Sequence, residues 1–226
     1  MHEIVERGVR EKRNLLEPEA LALLRDYGLP VPGHELAKTP EQALAAAGRI
    51  GYPVVLKVVS PSILHKSEIG GVRTGLEDEG ALAGAWRAAS RAVEAAGKRS
   101  SLEGFLVCEQ APPGLECIIG AVKDPQFGHA VMFGLGGIFV EVIRDVAFRV
   151  LPITREDAAE LVRETRSYKL LQGIRGQKPG DVEAVIDCLI KTAGVVEDNP
   201  AIGEIDINPI VVFERGAMVL DARILL

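Results

Sequence analysis

The residues with the most chemical potential lie together, in Ser60-Pro-Ser-Ile-Leu-His65-Lys66-Ser-Glu-Ile-Gly70-Gly71-Val72, directly after the apolar run Val54-Val-Leu-Lys57-Val-Val59. Two lysines, backbone amides at a Gly-Gly pair and an imidazole suit a surface that handles phosphate. The imidazole is also a nucleophile that can itself carry a phosphoryl group. For that it must be neutral, with one ring nitrogen free and the other oriented by a hydrogen bond; otherwise His65 is a solvated loop histidine. Alternation places Lys57 on the strand face of Val55 and Val59. A charge there is costly unless it meets an anion or the strand is an edge with the lysine in solvent. Gly70 and Gly71 let the backbone approach a ligand closely and present N–H donors, or simply make a turn.

A second constellation is Gly203-Glu204-Ile-Asp206-Ile-Asn208-Pro209-Ile210, followed by Asp221. Glu204, Asp206 and Asn208 alternate, so a strand puts them on one face, and Asp221 ends a neighbouring apolar run. Carboxylates and an amide oxygen are hard ligands, suited to Mg²⁺ that also holds phosphate oxygens; a polar strand face closed by an Asn-Pro turn is the plainer alternative. A third is Glu109-Gln110-Ala111-Pro-Pro-Gly114-Leu-Glu116, where a strand ends, bends and restarts. Such a hinge can hold adenine by backbone edges and ribose by a carboxylate, or be only a hairpin. Arg144, Asp145 and Arg149 are interleaved with apolar residues, as phosphate contacts or edge-strand charges. The chain has no GxxxxGK[ST], which excludes a P-loop. Gly134-Leu-Gly136-Gly137 lacks the third glycine of a Rossmann fingerprint.

Elements that would position these groups follow from periodicity and punctuation. Pro18 to Tyr27 reads as a helix closed by Gly28 and Pro30. Thr39-Pro40-Glu-Gln42 supplies an N-cap, an N1 proline and a capping-box glutamine for a helix to Ile50. Strands are expected over 54–59 and 71–76, then a long Ala-rich helix from Asp78 to Ala96. Lys98 to Glu103 is a polar connector. Beyond it, 105–109, 116–122, 129–133 and 138–142 read as strands. Helices start at Thr154 and Asp181, and three short strands close the chain at 201–207, 210–213 and 217–221. This order predicts an α+β protein of two lobes divided near residue 100, 1–100 and 101–226.

Composition narrows the function class. Of the 226 residues 47% are hydrophobic and only 4% aromatic, so the core must be built from Val, Ile, Leu and Ala. A net charge of −6 argues against a general nucleic-acid binder, while a local basic pocket and a metal ion still permit ATP. Cys108, Cys117 and Cys188 show no CxxC spacing and read as buried thiols in a reducing compartment. The charged N-terminus is no signal peptide, and no run is long enough for a membrane span. A cytoplasmic protein is expected.

Taken together, these motifs resemble the ATP-grasp β subunit of ADP-forming acetyl-CoA (acyl-CoA) synthetases, relatives of succinyl-CoA synthetase. The resemblance runs from about Glu17 to Arg223. It is carried by Tyr27-Gly28-Leu-Pro30-Val-Pro32, Gly51-Tyr-Pro-Val-Val-Leu-Lys57, His65-Lys66-Ser-Glu-Ile-Gly70-Gly71-Val, Asp124-Pro-Gln-Phe-Gly128, Phe133-Gly-Leu-Gly-Gly-Ile-Phe-Val-Glu141, Leu171-Gln-Gly173-Ile-Arg175-Gly176 and Glu204-Ile-Asp-Ile-Asn208-Pro209.

The resemblance implies an ATP-grasp fold gripping nucleotide between its two lobes. It implies that Lys57 contacts nucleotide phosphates, that Glu109 to Ala111 hold adenine and that Glu116 reaches the ribose. Asn208 and Asp221 fall on magnesium-ligand positions, and Asp206 on an acidic position beside the transferred phosphate. His65 falls on the histidine that takes phosphate from a phosphohistidine on the α subunit and passes it to ADP. The implied reaction is acyl-CoA + ADP + phosphate ⇌ carboxylic acid + CoA + ATP. The CoA-binding domain would lie on that α subunit, in an α2β2 heterotetramer, with neither nucleic acid nor membrane as partner. A stand-alone ATP-grasp carboxylate ligase, a non-catalytic ATP-binding regulatory module and a detached domain of a fused synthetase stay open.

Overall fold

The computed structural model describes residues 1–63, 66–136, 145–173 and 178–226. They form two compact units, one of residues 32–111 and one of residues 1–31 together with 112–226.

The unit of residues 32–111 is a four-stranded antiparallel sheet with two helices on one face. Its strands are β1 (His34–Ala37), β2 (Val54–Val59), β3 (Val72–Leu76) and β4 (Gly104–Glu109), in the order β1-β4-β2-β3. A first helix, Pro40–Ile50, starts where the Thr39 hydroxyl accepts the Gln42 N–H at 3.3 Å. A second, Glu79–Ala95, starts where Asp78 accepts the Ala81 N–H at 2.8 Å. The alanines of these helices let them lie close on the sheet. Ala43, Ala47, Leu82, Ala89 and Val93 pack against Val54, Leu56, Val58, Phe105 and Val107. Each such Val, Leu or Phe contributes about 1.5–3 kcal/mol by leaving water. Trp86, the one tryptophan, lies tilted on Phe105 with ring centroids 4.4 Å apart.

β4 pairs with β1 on one side and β2 on the other. It therefore belongs to this first sheet, and the division expected near residue 100 falls one strand too early. The polar segment taken for a connector is a short 3-10 turn, Arg99–Ser101, inside the unit. Strand pairing, which a local reading cannot see, decides the boundary.

The second unit carries a six-stranded antiparallel sheet. Its strands are β5 (Leu115–Asp124), β6 (Gly128–Leu135), β7 (Val146–Val150), β8 (Glu204–Val212), β9 (Ala217–Val219) and β10 (Ala222–Leu225). The order is β10-β8-β5-β6-β7, with β9 also on β8. Asp124 Oδ1 closes the β5–β6 hairpin by accepting the N–H groups of Gln126 and Phe127 at 2.7 and 2.9 Å. The helix Arg155–Glu164 opens with a capping box between Thr154 and Asp157. The helix Val182–Asp198 opens on the Asp181 carboxylate and packs against β5 and β6.

The helices Glu3–Glu11 and Glu17–Asp26 and a short one, Ser167–Leu171, also belong to the unit; the first and the short one were not expected from the sequence. Arg7 and Arg13 both pair with Glu19, at 2.9 and 2.6 Å. Asn208-Pro209 does not end a strand: β8 runs through it, so the two expected segments 201–207 and 210–213 are one element. The strand expected over 138–142 falls outside the described residues. No helix among the described residues is long and apolar enough to cross a membrane.

Candidate functional site

Lys57 sits at the middle of β2, which is hydrogen-bonded to β3 on one side and β4 on the other. The edge-strand alternative is thereby removed. All six residues of β2 are buried, and Lys57 is 7% exposed. Val54, Leu56 and Val58 enter the helical core, so alternation turns Lys57 to the opposite face. Burying an ammonium there is unfavourable unless an anion meets it.

The Gly70-Gly71 pair does not present free amides. The Gly70 N–H donates to the Ser67 carbonyl at 3.0 Å, and the Gly71 N–H to the Lys66 carbonyl at 2.7 Å. The pair closes a turn instead. Gly70 has φ +66°, and a Cβ on Gly71 would lie 2.9 Å from the Lys66 oxygen and 3.0 Å from Val58 Cγ2. The phosphate-cradle expectation therefore loses its donors here, because intraloop bonds use them. His65 itself lies outside the described residues, as do Glu141, Arg144 and Arg175.

At the end of β4, Glu109 is tied to Gly33 twice. Its N–H donates to the Gly33 carbonyl at 2.8 Å, and its Oε2 accepts the Gly33 N–H at 3.2 Å. The Gln110 N–H donates to the Pro53 carbonyl at 3.3 Å, and its side-chain oxygen accepts the Gly75 N–H. Glu109 and Gln110 are thus held by Gly33, Pro53 and Gly75.

In the second unit, burial along β8 alternates as expected. Ile205 and Ile207 are buried, while Glu204, Asp206 and Asn208 are half-buried on one face. β10 lies beside them with Arg223 opposite Asp206, and the Asn208 N–H donates to the Asp221 carbonyl at 3.2 Å. Asp206 and Asn208 thus share a face of β8, and Asp221, in the link between β9 and β10 rather than at the end of a strand, is tied to Asn208 through its backbone carbonyl. Burial pushes the Asp206 carboxyl above the usual carboxylate range; Arg223 opposes the shift, and Glu204 and Asp221 reinforce it.

Arg223 was not singled out in the sequence, though alternation from Asp221 was the available signal. Its Nη2 donates to Glu204 Oε1 at 2.7 Å, and its Nε is buried with no partner. Among the described residues no three His, Cys, Asp or Glu side chains gather into a metal cage. Asn208 and Asp221 instead match the sparse protein donor set of Mg²⁺, which keeps waters and phosphate oxygens as its remaining ligands.

Glu116 is an exposed carboxylate on β5 opposite Val211. Its carbonyl accepts the Gly136 N–H at 2.9 Å. A Cβ at Gly136 would meet the Cys117 carbonyl oxygen at 2.6 Å, so only glycine fits there. Arg149 lies on the edge strand β7 and pairs with Glu164, with one contact at 2.9 Å; it is an edge-strand charge. Asp145 accepts the N–H groups of Arg166 and Ser167 at 2.9 and 2.7 Å. The three cysteines are buried and form no disulfide, and burial pushes the Cys117 and Cys188 thiols up to about 12.

Residues 8–226 match the family model of the ATP-grasp domain. The β subunit of acetate–CoA ligase [ADP-forming] I from Pyrococcus furiosus is 46% identical over 224 residues, covering 99% of this chain and 97% of that one. A structure of acetyl-coenzyme A synthetase 1 from Ca. Korarchaeum cryptofilum, in complex with coenzyme A, Ca-AMPCP and HgCl+, superposes with a TM-score of 0.97 at 44% identity. It covers 99% of this chain and 98% of that one. A second structure of that enzyme holds coenzyme A and Mg-AMPPCP, with a phosphohistidine segment pointing towards the nucleotide binding site. Its TM-score is 0.88 at 42% identity, over 99% of this chain and 98% of the other. The chain belongs to the ATP-grasp family, among the nucleotide-binding β subunits of the ADP-forming acyl-CoA synthetases.

Proposed function

We propose that this chain passes a phosphoryl group between a phosphohistidine on a partner subunit and ADP, coupling acyl-CoA cleavage to ATP formation. The observation that carries the reading is the half-buried oxygen-donor face of Glu204, Asp206, Asn208 and Asp221. In the other unit it is seconded by a lysine buried on a central strand.

Lys57 would neutralise nucleotide phosphate. Backbone edges at Glu109 to Ala111 would hold adenine, and Glu116 the ribose. Asn208 and Asp221 would hold Mg²⁺, which when bound supplies charge neutralisation at the phosphate oxygens. Asp206, kept among acids and half out of water, would face the transferred group. Gly70 and Gly71, with their amides committed, would shape the loop rather than bind phosphate.

His65 would be the carrier. Its neutral ring nitrogen attacks phosphorus, a P–N bond forms and the P–N bond to the donor histidine breaks. A β-phosphate oxygen of ADP then attacks, a P–O bond forms and the imidazole is released. Phosphoryl transfer of this kind is positioning plus electrostatics.

The partner would be an α subunit carrying the CoA-binding domain and the donor histidine, assembled as α2β2 in the cytoplasm. Acetate is the acid named in two relatives, 46% and 44% identical to this chain. The test is co-expression with a candidate α chain, following CoA-dependent ATP formation. Wild type should be active and His65→Asn should lose at least about a thousandfold. Unchanged turnover in His65→Asn would remove the carrier role.

A further inference from the structure

We propose that the unit of residues 32–111 binds a small amphipathic monoanion, a carboxylate with an aryl or alkyl body, in a cavity on the helix side of its sheet. The cavity measures about 480 Å³ and lies between the end of β1, the helix Glu79–Ala95 and the start of β4. Pockets that hold small molecules are about 300–1,000 Å³. Phe105, on its wall, enters the helical core, whereas Lys57 faces the other side of the same sheet. None of the residues assigned above to phosphoryl transfer lines this cavity.

Trp86 points to a ligand. It is only 9% exposed, and it lines the cavity. Its indole N–H has no acceptor among the described residues. The side-chain nitrogens and oxygens wholly buried there without a partner are Tyr52 Oη and Arg223 Nε. The indole N–H is not one of them, so it reaches open space, and the open space that Trp86 lines is this cavity. A buried indole N–H ordinarily finds a partner; an accepting ligand atom supplies it here.

The rest of the lining sets the charge of that ligand. Lys38 and Arg99 are exposed where they line the cavity, and neither pairs with an acid among the described residues. Ser90 lies one helical turn beyond Trp86, and its hydroxyl has no bond among the described residues. Ammonium, guanidinium and indole groups donate and cannot accept, so together they recognise an acceptor-rich anion. Two cations against the single acid Glu103 leave one net positive charge on the lining. A monoanion balances it. Trp86, Phe105, Leu102 and Pro40 form an apolar wall for the body of the ligand.

Trp86 is the one tryptophan of the chain, so its emission reports on this site. The experiment titrates phenylacetate into the full chain, with phenylacetamide as its uncharged match, and follows indole emission and binding heat together. Phenylacetate should give a saturable signal in both, with a midpoint of about 1–5 mM. Phenylacetamide should bind about five- to tenfold more weakly, because charge-assisted hydrogen bonds are the stronger ones. Lys38→Gln and Arg99→Gln should each raise the phenylacetate midpoint about threefold, and the double variant about tenfold, with the melting temperature unchanged. Trp86→Phe, read by heat alone, should weaken binding about threefold by loss of the N–H. An unsaturated response, equal midpoints for acid and amide, or an unshifted midpoint in the double variant would overturn the proposal. Binding heat without any change in emission would place the ligand elsewhere and overturn it equally.

Discussion

The backbone N–H of Asn208 donates to the carbonyl of Asp221 at 3.2 Å, so β8 is tied to the short link between β9 and β10 and the two proposed magnesium ligands are backbone neighbours. That hydrogen bond fixes their backbone separation. A loss at either residue should therefore appear as a metal defect. Asn208→Ala and Asp221→Ala should each raise the Mg²⁺ concentration for half-maximal phosphoryl transfer. They should also lower the saturated rate about a hundredfold. Titrating Mg²⁺ against ATP formation checks this; an unshifted midpoint in both variants would reject the assignment.

Lys57 allows a cleaner separation of binding from folding. It shares a strand face with Val55 and Val59, on a strand with no exposed residue. Lys57→Met keeps the length and the apolar stem and removes only the charge. A charge-assisted bond is worth about 1.5–3 kcal/mol, so nucleotide KM should rise about 10- to 100-fold. The melting temperature is read beside it, because any partner that Lys57 leaves behind would register as lost stability. Steady-state kinetics with a thermal melt reads both. A destabilised variant with normal KM would make Lys57 a structural residue.

Much of this arrangement was legible along the chain, and the reasons for the exceptions are physical. The alternation of Glu204, Asp206 and Asn208 with Ile205 and Ile207 predicted a one-faced polar strand, and burial follows it. Thr39, Asp78, Thr154 and Asp181 were readable as helix starts, because a side-chain oxygen serves an otherwise unpaired N–H. What stayed hidden depends on partners distant in sequence. The placement of β4 is set by β1 and β2, which lie well before it. Gly70 and Gly71 have the right types for a phosphate loop, but the Lys66 and Ser67 carbonyls take their amides. Arg223 gains meaning only once β10 is laid beside β8.

Asp206 ties function to a cost in stability. Burial raises its carboxyl, Arg223 partly offsets this, and Glu204 and Asp221 add repulsion. A carboxyl raised in the folded chain binds its proton more tightly there than in the unfolded chain. Folding is therefore unpenalised below the unfolded value, near about 3.9. Stability is lost as pH rises from there through the folded value, and the full deficit persists at neutral pH. Asp206→Asn keeps the shape and removes the charge. In metal-free buffer it should melt at a higher temperature than the native chain at pH 7.5, and the gap should shrink as pH falls towards 4. The same variant should lose phosphoryl transfer, since it also removes the acid facing the transferred group. Thermal melts across that pH range, beside one turnover assay, decide it. A variant that melts lower at neutral pH would mean that Arg223 outweighs the other terms and that Asp206 serves the fold.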